Sequence, residues 1–232
     1  MTADTGSYLT AGGIVRRLRD DIGDIWDAYV GHPFVAGLQD GSLPEAAFRY
    51  YLRQDFLFLI HFARAYALAA FKAETLDEMR AAAKTLDLLV HVETGLHVDY
   101  CAGWGIGQAE MEATPEDPAC VAYTRYVLDK GQQGDILDLY VALAPCVVGY
   151  GEVGHRLITD PNTRREGNPY AAWIDMYGGD EYQELVRAAE AQLDAFHAAR
   201  GSDARYPSLV KTFGTATRME VEFWQRGLKA AS

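Results

Sequence analysis

The stretch Ser42–Phe71, SLPEAAFRYYLRQDFLFLIHFARAYALAAF, decides the fold class. Its opening, Ser42-Leu43-Pro44-Glu45, reads as a capping box with proline early in the helix. Beyond it Phe48, Tyr50, Tyr51, Leu52, Phe56, Leu57, Phe58, Leu59, Ile60 and Phe62 make the segment apolar nearly all round. That pattern predicts a central, buried helix running to about Phe71. Asp55 interrupts it beside Arg53 and Gln54. A carboxylate in such a helix is paired, faces a cavity or is protonated, unless Arg53-Gln54-Asp55 is a short solvated face.

Helical signals continue on both sides. Ile14, Leu18, Ile22, Ile25 and Tyr29 fall on one stripe, and His32 to Asp40 reads as a turn. Thr75-Leu76-Asp77-Glu78 is a second capping box, followed by Leu76, Met79, Ala83, Leu86 and Val90 at spacings of three and four. Gly103 to Pro118 reads as a loop. Further helices are expected near 119–130, 136–159, 170–177, 181–199 and 206–229. Period-two alternation is essentially absent, so strands are not needed. With no long linker, repeat or low-complexity tract, residues 1–232 read as one all-α, single-domain helical bundle.

Composition excludes several function classes. The chain of 232 residues carries a formal net charge of −12 and 12% aromatic residues, 14 of them Tyr. It has no basic footprint for nucleic acid and none for an anionic membrane. Three cysteines (Cys101, Cys120, Cys146) without metal or redox spacing point to a reduced, cytosolic protein. Met1 to Gly13 lacks the pattern of a signal peptide. Apolar runs such as Val141 to Val148 fall short of the ~20 residues that span a bilayer.

Few residues stand out as chemistry. Cys146 follows Pro145 in an apolar helix; the proline frees the carbonyl of Val141, and a kink there would open a gap beside the thiol. By pattern alone this thiol reads as core packing before it reads as a nucleophile. Glu220 and Glu222 are two apart, so at most one faces inward with Phe223. Tyr123, Tyr150 and Tyr177 lie in helical contexts that suit core or interface tyrosines equally well. Glu93 with His97, and Glu152 with His155, each share a helix face, the arrangement of a bundle metal site or simply of surface pairs.

The motifs add what periodicity lacks. His32-Pro33-Phe34, Gly41-Ser42-Leu43-Pro44, Tyr50-Tyr51 with Gln54-Asp55, and His61-Phe62-Ala63 come first. Pro145-Cys146 with Tyr150, Glu152-Val153-Gly154, Trp173-Ile174, Tyr177-Gly178-Gly179-Asp180, and Glu220 with Phe223-Trp224 follow in order. In this order and spacing the chain resembles the TenA/thiaminase II family from His32 to Trp224. The resemblance implies a heme-oxygenase-like bundle, usually a homotetramer, and an aminopyrimidine aminohydrolase of thiamine salvage. Its substrates would be thiamine or 4-amino-5-aminomethyl-2-methylpyrimidine, and its product the hydroxymethyl pyrimidine. No metal or cofactor is implied, and no nucleic-acid or membrane partner. Carried over residue by residue, Cys146 would be the nucleophile, Glu220 would serve a ring nitrogen, and Asp55 would hold the amino-pyrimidine edge. Tyr123 and Tyr177 would hydrogen-bond near the thiol or leaving group, Tyr150 would position the ring, and Phe58 and Phe223 would sandwich it.

The chain departs from the family in four places. Phe58 stands where many members have Tyr, and Gly151 replaces a Tyr often found beside Tyr150, which would widen the cavity or loosen that helix. His155 is not family-typical, and 162–167 is an insertion. Two competing functions follow: a di-iron oxygenase using Glu93, His97, Glu152 and His155, and a non-catalytic regulatory or binding protein.

Overall fold

The computed structural model describes residues 8–231; residues 1–7 and Ser232 lie outside it, and with them the start of the Met1–Gly13 stretch. Among the described residues there are helices and no strands. In chain order they are α1 (Ile14–Val30), α2 (Pro33–Asp40), α3 (Glu45–Lys72) and α4 (Leu76–Leu88). A single π-helical turn (Leu89–Glu93) leads into α5 (Thr94–Gly103) and the short α6 (Gln108–Glu112). Then come α7 (Pro118–Gln133), α8 (Ile136–Thr159), α9 (Ala171–Gly178), α10 (Asp180–Arg200) and α11 (Tyr206–Lys229).

Two local readings are corrected. The expected turn at His32–Asp40 is the two-turn helix α2. Pro33 sits where its missing N–H is harmless, His32 Nδ1 accepts from the Phe34 N–H at 3.2 Å, and Gly41 ends the helix at φ 76°. Ser42 does not cap α3: that helix starts at Glu45 after Pro44 with no side-chain cap bond, and the Ser42 N–H instead turns back to Asp40 Oδ1 at 2.8 Å. The Thr75 cap does form, with its hydroxyl accepting from the Glu78 N–H. The loop expected at 103–118 contains α6.

The centre of the bundle is α3, α8 and α11, flanked by α7, with α1 against α11 and α9 and α10 against α8. The expected central helix is confirmed in α3, where Phe48, Tyr51, Leu52, Asp55, Phe56, Phe58, Leu59 and Phe62 are all buried. Asp135 and Asp138 close a reciprocal capping box that starts α8, which then runs unbroken through Pro145. This helix is also long and apolar enough to cross a membrane, although almost all of that stretch is buried within the fold. Stacked rings pack α1 and α2 on α11: Trp26 of α1 on Phe213 at 5.5 Å, and Phe34 of α2 on Trp224 at 4.7 Å.

Gly151 neither widens the site nor loosens α8. A Cβ there would fall 2.5 Å from both the Tyr8 hydroxyl and Val186 Cγ2, so those side chains occupy the space beside it. Tyr8 is fixed by donating to Gln183 Oε1 at 2.8 Å. The 162–167 insertion docks on the end of α2: the Arg164 N–H donates to Gln39 O at 3.0 Å, and Asn168 Nδ2 to Leu38 O at 2.8 Å.

Candidate active site

Three helices bring a thiol, a carboxyl and a phenol together. Cys146 of α8 and Glu220 of α11 bring their side chains together. Tyr123 of α7 donates its hydroxyl to Glu220 Oε1 at 2.8 Å. All three are buried. Burial pushes the Glu220 carboxyl up to about 8; the Tyr123 bond opposes this, and the charge of Asp55 adds to it. Burial also holds the Cys146 thiol well above its ordinary value, reinforced by the negative charges of Glu220, Glu93 and Asp55. The thiol at rest is therefore protonated, with the Glu220 carboxyl beside it.

Phe58 and Phe223 flank this group, with ring centroids 5.8 Å apart and planes tilted by 59°. Phe58 also packs on Tyr123 at 4.9 Å and Phe62 at 5.1 Å. A flat ring held between two faces needs about 7 Å between them, two carbon–carbon contacts of ~3.5 Å. A sandwich therefore requires one of the two phenylalanines to turn aside.

Asp55 is held by a second network. Its Oδ2 accepts from the Tyr51 hydroxyl at 2.9 Å and lies 2.6 Å from His97 Nε2. Tyr51 in turn accepts from Trp173 Nε1 at 3.1 Å and hydrogen-bonds Tyr150. His97 Nδ1 faces the Glu93 carbonyl oxygen at 2.8 Å; that oxygen only accepts, so Nδ1 carries a proton. Nε2 and Asp55 thus share one proton, and the pair is neutral overall. Burial of His97 disfavours its charge, but the hydrogen bond and charge of Asp55 outweigh that and raise its pKa. The imidazolium form of His97 is favoured accordingly.

The Glu93 side chain accepts from the Tyr177 hydroxyl at 2.7 Å, so Tyr177 reaches Glu93 rather than the thiol. Burial raises the Glu93 carboxyl to about 7; the Tyr177 bond pulls it down and the Asp55 charge pushes it up. Tyr150 stacks on Trp224 at 5.2 Å and tilts against Tyr177 at 5.0 Å. Glu93 also lines a cavity of about 120 Å³ with Val92, Met176, Tyr182 and Leu185. A wider groove of about 820 Å³ at Tyr8, His155 and Arg187 contains none of these groups.

All eight proposed site residues are buried, and their side chains gather around Cys146 and Asp55. The four residues weighed as metal ligands do not converge. Glu152 accepts from Trp26 Nε1 at 3.0 Å, and His155 is exposed beside Tyr8 at 5.3 Å. Glu93 and His97 instead serve Tyr177 and Asp55, as above. Among the described residues no three His, Cys, Asp or Glu side chains form a metal-holding group. The motifs include Tyr51 and Trp173 without giving either a role, and the role of His97 is not legible in them. The signal for His97 was Asp55 itself, since a carboxylate in an apolar helix calls for a buried cationic partner.

A model of the TENA/THI-4/PQQC family matches residues 19–230. An uncharacterised protein of Haemophilus influenzae is 43% identical over 206 residues, covering 89% of this chain and 94% of that one. An aminopyrimidine aminohydrolase of Halalkalibacterium halodurans is 38% identical over 202 residues, covering 86% and 88%. The crystal structure of a TenA family transcription regulator from Silicibacter sp. TM1040 superposes with a TM-score of 0.87, 47% identity and coverage of 92% and 96%. A Shewanella denitrificans domain with a heme oxygenase-like fold superposes at 0.72 with 12% identity, covering 93% and 92%, which speaks to the fold alone.

Proposed function

The chain belongs to the TENA/THI-4/PQQC family, and from that premise we propose that it is an aminopyrimidine aminohydrolase of thiamine salvage with Cys146 as nucleophile. The observation that carries this reading is the buried Cys146–Glu220–Tyr123 group beside the Asp55–His97 pair. The named hydrolase relative, matching 86% of this chain, supports it.

In this proposal the aminopyrimidine lies among Phe58, Phe223 and Tyr150, with its amino edge on Asp55. Glu220 takes the thiol proton as sulfur bonds to a ring carbon, and the displaced ring electrons end on a ring nitrogen. Glu220 gives that nitrogen the proton, so the carboxyl ends the step as it began. The substituent on the exocyclic methylene departs with its bonding pair as a neutral base, thiazole from thiamine or ammonia from the protonated aminomethyl group. That base or solvent takes the proton shed by the incoming water. Water then adds to the methylene, and the ring expels the thiol to regain aromaticity. No metal or cofactor takes part. A carboxyl titrating near 8 suits this two-way role, since it gains and loses a proton easily near neutral pH.

The test is to incubate the wild type separately with thiamine and with 4-amino-5-aminomethyl-2-methylpyrimidine. Release of hydroxymethyl pyrimidine from either is the expected result; release from neither sinks the proposal. A net charge of −12 provides no footprint for DNA phosphates, which argues against regulation by direct DNA binding.

We also propose that the protein works as a cytosolic homotetramer. Phe71, Leu76, Met79, Val90 and Val92 leave 42–85% of their surface exposed along α3, α4 and the π-helical turn, an apolar face that suits burial between copies. Light scattering is expected to give the mass of four chains; the mass of one chain would refute the assembly.

A further inference from the structure

Among the described residues three buried side-chain polar atoms find no partner: the Tyr29 hydroxyl, Thr163 Oγ1 and Trp224 Nε1. Two of the three sit together, because the Tyr29 and Trp224 rings stack at 6.4 Å and 26°. Trp224 lies one helical turn beyond Glu220 on α11. Tyr29, near the end of α1, is fully buried and lies against α8 at Gly149, three residues beyond Cys146. A Cβ at 149 would fall 2.1 Å from Tyr29 Cε1 and 2.7 Å from its hydroxyl, so only glycine admits the ring there. Burial raises the pKa of this phenol, and the charge of Glu220 raises it next.

A buried hydroxyl with no partner is costly to retain, and native structures rarely keep one without a reason. Phenylalanine in its place would fill the same volume at no such penalty. We propose that Tyr29 is a ligand-contacting residue of this site: its hydroxyl donates to an acceptor that arrives with the reactants. The acceptor is a polar atom of the pyrimidine or the water that hydrolyses it. Water is well suited to the spot, because a buried water needs two to four polar partners. In this proposal Tyr29 provides one of them and Glu220, one turn before Trp224, another. This inference rests on the function proposed above.

The test is Tyr29→Phe. Because the hydroxyl has no protein partner, the variant is expected to unfold at the same temperature as the wild type or higher. Its kcat/KM with the aminomethyl pyrimidine is expected to fall about 10-fold, the scale of one hydrogen bond. Calorimetry with the hydroxymethyl pyrimidine product separates the two acceptors. Weaker product binding assigns the hydroxyl to the ring, and unchanged binding with reduced kcat assigns it to the water. If kcat and product binding both match the wild type, the inference is wrong. It is equally wrong if activity falls only in step with a lower unfolding temperature. A wild type that neither binds nor turns over the pyrimidine overturns the proposed function and this inference with it.

Discussion

Replacing Cys146 with alanine or serine is expected to lower hydroxymethyl pyrimidine release by about 10⁴-fold or more, the scale on which hydrolases lose activity with their nucleophile. The chain should remain folded. Cys146 contributes one small buried side chain to α8, and its loss is worth on the order of 1 kcal/mol of stability. The serine variant is the sharper of the two, because its hydroxyl can still hydrogen-bond Glu220. If packing or polarity were what Cys146 supplied, serine would retain most turnover. Steady-state rates together with circular dichroism decide the matter, and near-full turnover in the alanine variant would remove Cys146 from the chemistry.

Glu220→Gln is expected to lower kcat by roughly 10²- to 10⁴-fold, the usual contribution of a general acid–base group. Glutamine still accepts from Tyr123 but cannot move the proton between thiol and ring. The same variant should also change how stability responds to pH. Glu220 titrates near 8 in the folded chain against an ordinary value of 4.5. Between those values the folded state keeps a proton that the unfolded state has lost, so stability falls as pH rises through that window. The full effect is roughly 5 kcal/mol. Urea unfolding at pH 5 and pH 8 should show the loss in wild type and a smaller one in the glutamine variant. Equal slopes would mean that Glu220 titrates like an ordinary surface carboxyl.

Long amphipathic and apolar segments were legible as helices: the expected 136–159 and 206–229 coincide with α8 and α11. Those boundaries rest on local rules, with turn residues before each helix and a hydrophobic period within it. α2 was misread because a proline-led helix of eight residues offers too few turns to show a period. The site was legible in part. Asp55 stands out because it is a carboxylate in an apolar helix, where charge must find a partner, whereas Glu220 is marked out only by the family motif. The partners themselves were not legible, since His97 lies 42 residues from Asp55 and Tyr123 lies 97 from Glu220. Glu93 and His97 were grouped by spacing on one helix, whereas the fold points them at different neighbours. Tyr29 was equally hidden: it ends a hydrophobic stripe, and only the three-dimensional packing leaves its hydroxyl without a bond.

The π-helical turn at Leu89–Glu93 carries Glu93, and His97 follows one turn later in α5. A π turn holds more chain per revolution than the α-helix on either side. Deleting a single residue there would let the ladder regularise, and each residue of an α-helix corresponds to about 100° of rotation. His97 would then swing away from Asp55 although every catalytic side chain remained in the sequence. Under the proposed function the length of that turn matters as much as the identity of any residue in it, and a deletion at 89–93 is expected to abolish turnover without touching a reacting atom.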